Sequence, residues 1–87
     1  MREHGFVTAF KNALAVENLS VRKAARIISS NIHTSRRRIE AVSYNEMPLT
    51  FETFMIMKEG AAQMGINIRY DALDFYKEEK AYYGIRD

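Results

Sequence analysis

Residues 31–44, Asn-Ile-His-Thr-Ser-Arg-Arg-Arg-Ile-Glu-Ala-Val-Ser-Tyr, set Arg36, Arg37 and Arg38 side by side, just after a serine and just before apolar residues at helical spacing. A helix N-terminus carries partial positive charge from its unpaired N–H groups, so each cation in the first turn is disfavoured by roughly a few tenths of a kcal/mol. Three together call for a compensating anion or a well-solvated surface. The charge distribution makes the same point. The net charge is +2, but residues 20–44 hold Arg22, Lys23, Arg26, Arg36, Arg37 and Arg38 against Glu40 alone, whereas residues 45–87 carry a net −3. Such segregation is expected of a molecule that offers one face to a polyanion, and a solvated basic face is the alternative.

Other chemistry has little support. His33, Ser35 and Glu40 lie too close in sequence to form a nucleophilic triad, and Glu78 with Glu79 reads as an exposed acidic pair, not two carboxylates opposed across a cleft. The two histidines lack metal-ligand spacing, and with no cysteine there is neither a thiolate nor a disulfide framework. These features predict a protein that is not an enzyme and takes no cofactor or metal. The apolar runs are only a few residues long, far short of the roughly 20 needed to cross a bilayer, and Met1–Phe10 has no signal-peptide pattern. A cytoplasmic protein is expected, with no membrane partner.

The elements that must position these residues are helices. Phe6, Val7, Phe10, Ala13, Leu14 and Val16 recur at spacings of three and four, as in an amphipathic helix. Ser20 is placed to cap a short second helix with Val21, Ala24, Ala25 and Ile28 on its apolar stripe, ahead of a polar turn around residues 30–34 into which Ile32 tucks. Thr34 or Ser35 caps a third helix whose inward positions are Ile39 and Val42. Pro48, a Thr50 cap and the staple pair Leu49 and Phe54 start a fourth, with Phe51, Phe54, Met55, Met57, Ala61 and Met64 inward, Gly60 a weak point and Gly65 its C-cap. Phe10, Phe51 and Phe54 are expected in the core. Beyond residue 65, Ile66, Ile68 and Tyr70 alternate like a strand, and Asp71 is placed to cap a last helix carrying Ala72, Phe75, Tyr76 and Tyr82.

This succession resembles the helix-turn-helix domain of the Xre/Cro phage-repressor family. The likeness rests on Leu-Ser-Val-Arg-Lys-Ala-Ala (residues 19–25), Ser-Arg-Arg-Arg-Ile-Glu-Ala-Val (35–42) and Pro-Leu-Thr-Phe-Glu-Thr-Phe (48–54), and covers roughly residues 6–66. It implies an all-α, four- to five-helix, lambda-repressor-like DNA-binding domain over residues 1–65, with a short strand/helix tail over 66–87. Two features depart from the family pattern: the turn is about two residues longer, and Ser43 and Asn45 stand where an acid and a glycine often follow the recognition helix.

The resemblance implies that the helix at about residues 35–44 reads the major groove of double-stranded DNA in a phage-type transcriptional repressor. Arg36, Arg37 and Arg38 would supply bidentate forks for guanine or reach phosphate, and Glu40 would accept from cytosine N4 or orient an arginine. Ser20, Arg22 and Lys23 would anchor phosphate at the start of helix two, with Tyr44 and Asn45 as further backbone contacts. Family members bind as two-fold dimers spanning about 34 Å of DNA, so the tail is the expected dimerisation element, through Ile66, Ile68, Tyr70, Phe75, Tyr76 and Tyr82. Two rivals stand beside this expectation: a protein-interaction module, such as an antitoxin or antirepressor working through the aromatic tail, and an RNA-binding adaptor using the arginines on backbone shape.

Overall fold

The computed structural model describes residues 2–83, apart from the side chains of Tyr82 and Tyr83. These residues form five helices and no strand: α1 (Gly5–Val16), α2 (Val21–Asn31), α3 (Arg36–Ser43), α4 (Phe51–Gln63) and α5 (Ala72–Tyr83). Each begins at a side chain that accepts a first-turn N–H, the contact that satisfies one of the donors a helix start leaves open. Ser20 Oγ accepts from Lys23 N at 3.1 Å, Ser35 Oγ from Arg38 N at 3.3 Å, Thr50 Oγ1 from Thr53 N at 3.2 Å and Asp71 Oδ1 from Asp74 N at 3.0 Å. At α1 the acceptor is His4 Nδ1, 3.1 Å from Phe6 N.

Three helices end in the same way. Asn18, Asn45 and Gly65 adopt positive φ of 55°, 62° and 80°. In each case the next N–H bonds back to the helix: Leu19 N to Leu14 O, Glu46 N to Ala41 O and Ile66 N to Ala61 O. This is the Schellman closure, with asparagine replacing glycine twice because its short polar side chain tolerates the left-handed region.

The core is a single cluster. Phe6, Val7, Phe10 and Leu14 of α1 meet Ala24, Ala25 and Ile28 of α2, Ile39 and Val42 of α3, and Phe54, Met57 and Ala61 of α4. At its centre the Phe6 and Phe54 rings lie edge to face at 4.8 Å. Gly60 is buried within an unbroken α4 where a weak point was expected. A Cβ there would stand 2.6 Å from Ile28 Cγ2, so the missing side chain is what lets α2 and α4 approach.

Several expectations are corrected. Helix α2 runs to Asn31 because Ser29 and Ser30 donate to the carbonyls of Arg26 and Ile27, at 3.1 and 2.9 Å, and stay helical instead of opening the turn. Val16, at the last position of α1, is exposed. Phe51 and Met55 are 49% and 47% exposed, because burial of Thr53, Phe54, Met57 and Gly60 turns that edge of α4 outward. Residues 66–70 form no strand, and Tyr70 N bonds back to Ile68 O at 2.9 Å in a tight turn. The turn at Gly65 reverses the chain so that Ile66 and Ile68 drop into the core, and Phe75 follows them. No boundary falls at residue 65, since the tail completes the same core.

Glu78 is not half of an exposed acidic pair. Its side chain is 11% exposed and lies over the start of α1, where Oε2 accepts from Gly5 N at 2.7 Å and Oε1 accepts from the Tyr70 hydroxyl. A carboxylate at a helix N-terminus is favoured by the helix dipole. Beside it the buried His4 ring stacks on Phe75 at 5.0 Å, with Nδ1 3.6 Å from Glu78 Oε1. Burial holds the His4 pKa below its ordinary value of 6.5, against the opposing pull of the Glu78 charge.

Two outcomes follow for stability. Gly60→Ala gains about 1 kcal/mol of helix propensity but overpacks Ile28, which typically costs about 1–3 kcal/mol, so chemical denaturation will show a net loss of stability. Because the folded His4 pKa lies below the unfolded one, its contribution is complete above the ordinary value of 6.5 and declines as pH falls from there through the folded pKa, levelling off below it. His4→Asn keeps a cap acceptor without titrating, and denaturation midpoints at pH 7.5 and 5.5 should lie closer together than in the parent chain.

Candidate nucleic-acid interface

Helix α3 is held by its inward residues. Ile39, Val42 and Ser43 are buried, and Ser43 Oγ donates to Ile39 O at 2.7 Å, so even its polar atom is satisfied within the helix. With successive residues about 100° apart, the opposite side carries Arg37, Glu40, Ala41 and Tyr44. These four, together with Arg22 of α2 and Glu46 beyond α3, enclose one open polar groove. Arg22 Nε lies 3.9 Å from Glu40 Oε1 across it, a long pair on a mostly exposed arginine that contributes little to stability.

The fold therefore separates the three arginines. Arg37 faces the groove. Arg38 borders a second groove with Pro48, Thr50 and Glu52, toward the start of α4, and Arg36 opens the helix from an exposed first position. Neither α2 nor α3 has an acid in its first turn, and Arg22, Lys23, Arg26, Arg36, Arg37 and Arg38 are all exposed. Two positive helix ends and six cations thus share one unit, α2, residues 32–35 and α3. Positive charge is thereby concentrated along the surface of that unit.

The other expected contacts divide. Ser20, Arg22 and Lys23 all sit at the exposed start of α2, with Ser20 as its cap, and exposed Tyr44 lines the Arg37 groove. Asn45 does not join them. It closes α3 in the left-handed conformation and borders a different cavity, on the inner side with Val42 and His4. His33, in the connection, is exposed.

The dimerisation set is largely corrected. Ile66, Ile68 and Phe75 are buried in the chain's own core, and half-buried Tyr70 donates to Glu78. Tyr76 is 42% exposed, with Lys80 Nζ 6.0 Å from its ring centroid, and the Tyr82 side chain lies outside the described residues. Sequence reasoning missed Glu46, which enters the groove because the Schellman turn carries the chain back past the end of α3.

Among the described residues no helix is long and apolar enough to cross a membrane, and no group of three or more His, Cys, Asp or Glu is placed to hold a metal ion. Comparison with protein-family models, with curated proteins and with solved structures finds no match to this chain.

The placement of Asn45 separates closure of α3 from contact with an anion. Asn45→Gly should keep the fold and any nucleic-acid affinity, whereas Asn45→Val should lose about 1–2 kcal/mol in denaturant titration, because a β-branched residue resists positive φ.

Proposed function

We propose that this chain is a cytoplasmic, sequence-specific double-stranded-DNA-binding regulator of the Xre/Cro helix-turn-helix type, with α2 as the supporting helix and α3 as the reader. The observation that carries this reading is the outward stripe of α3, Arg37, Glu40, Ala41 and Tyr44, left uncovered by the chain's own core within its most basic segment.

In a major groove, Arg37 offers a two-donor fork to guanine O6 and N7, and Glu40 accepts from cytosine N4. Ala41 is small enough to let the helix approach closely and can meet a thymine methyl. Arg36 and Arg38, on the two flanks, reach phosphates on either side, and Ser20, Arg22 and Lys23 hold the backbone at the start of α2. The charges that α3 should least tolerate then meet phosphate oxygens and base edges. One helix reads one half-site, so the working form is a two-fold dimer on DNA, acting as a repressor by occupying its operator.

A second reading, a protein-interaction module such as an antitoxin or antirepressor, draws on the exposed Leu73 and Tyr76 of α5.

Selection from random duplex DNA, with sequencing of the retained fraction, tests the first reading. The parent chain should recover a two-fold symmetric motif, and Arg37→Ala should lose about tenfold or more in discrimination at one base pair of each half-site. Lys23→Ala should instead weaken all sequences alike and shallow the salt slope by about one phosphate contact. A pool that stays random, or a motif indifferent to Arg37→Ala, overturns DNA reading and turns attention to α5.

A further inference from the structure

The DNA reading leaves Glu46 without a role, although it lines the same groove as Arg37. Its place is set by the backbone. Glu46 N donates to Ala41 O at 2.7 Å in the turn that closes α3, which holds the exposed side chain at the groove. The charges there are of two kinds. Arg22 and Glu40 face each other at 3.9 Å, whereas the side chains of Arg37 and Glu46 form no hydrogen bond or ion pair among the described residues. The formal charges of Arg22, Arg37, Glu40 and Glu46 cancel, so the groove is neutral inside a unit that is otherwise strongly basic. We propose, on the premise that α3 reads DNA, that Glu46 is a specificity-determining residue acting by exclusion: its carboxylate repels phosphate at the groove and so weakens binding to unrelated DNA more than binding to the operator.

Binding to unrelated DNA is driven by phosphate contacts and is indifferent to sequence. A duplex held by its backbone alone can take any register that brings phosphates to cations. A strand laid across this groove to reach Arg37 also meets Glu46, and a carboxylate has no proton to offer a phosphate oxygen. The operator register differs, because its phosphates lie on the flanking cations and the groove receives base edges. These edges carry no net charge, and those of cytosine and adenine present amine donors that a carboxylate can accept from. A charge set against the wrong complex raises specificity without adding a contact to the right one. Glu40 is less suited to this role, since Arg22 stands opposite it.

The test compares two labelled duplexes by fluorescence anisotropy: one carrying the motif recovered by selection, the other a scrambled sequence of the same composition. Glu46→Gln removes the charge and keeps the size, and its exposed side chain makes loss of folding unexpected. It should bind the scrambled duplex about threefold or more tightly than the parent chain, the effect of one unit charge roughly 7 Å from a phosphate in water. The motif duplex should gain less, so the ratio between the two falls, and the gain should shrink at high salt. Glu59→Gln changes net charge by the same amount at an exposed acid of α4 outside the groove, and should leave that ratio as it is in the parent. Unchanged binding of the scrambled duplex by Glu46→Gln, or an equal fall in the ratio for Glu59→Gln, overturns the proposal. If the motif is still recovered and still depends on Arg37, the DNA reading survives that result. A parent chain that binds neither duplex overturns both.

Discussion

The carboxylate of Glu78 seated over the start of α1 is the contact on which the rest of the arrangement depends. It accepts from Gly5 N at 2.7 Å and from the Tyr70 hydroxyl, joining the first helix, the connection between α4 and α5, and the last helix at one point. A Cβ on residue 5 would come within 2.5 Å of Glu78 Oε1, so glycine at that position makes room for the acid. A chain of 87 residues buries a smaller share of its surface than a larger domain would, and each connection between distant segments counts for more. Here the acid does two things at once. It complements the dipole of α1, and it holds Phe75 against His4 and Phe54, at 5.0 and 5.1 Å between rings, closing the core on that side.

Much of the fold was legible because helix ends are local chemistry. Ser20, Thr50 and Asp71 cap where their spacing to the following apolar residues said they would, and Ser35 takes the role left open between it and Thr34. The helix periodicity located Phe6, Phe10, Leu14, Ile28, Ile39, Val42 and Phe54 correctly. What was not legible depends on contacts between segments far apart in sequence. His4 is an uncommon cap, and its role becomes visible only with Phe75 and Glu78 beside it, more than 70 residues along the chain. The alternation of Ile66, Ile68 and Tyr70 marked which side chains turn inward, but the segment forms no strand. Whether those side chains meet another strand or the chain's own helices is decided by the turn at Gly65, which periodicity does not encode.

The candidate site was legible in composition and illegible in orientation. The run from Arg36 to Arg38 identified the basic helix, but three adjacent residues span most of a helical turn. Only the burial of Ile39, Val42 and Ser43 fixes which arginine faces out. The same rotation groups Arg37 with Glu40 and Tyr44, and assigns Arg38 to the neighbourhood of Pro48 and Thr50. Asn45 shows the opposite limit. Its residue type suits hydrogen bonding to an anion, yet its positive φ and the bond from Glu46 N to Ala41 O commit it to closing the helix.

Packing alone gives no reason for the charges at the start of α3. The helix has eight residues, no acid in its first turn and Ser35 as the single side chain shown accepting from that turn, so its three leading cations oppose the dipole they sit on. Its place is held instead by Ile39 and Val42, both buried against the same core that the Glu78 contact helps to close. Stability and surface chemistry are thereby assigned to different faces of one short helix. The inner face tolerates little change, because every side chain on it is buried. The outer face is less constrained by folding, and that freedom lets it carry an arrangement of charge that the helix dipole does not favour.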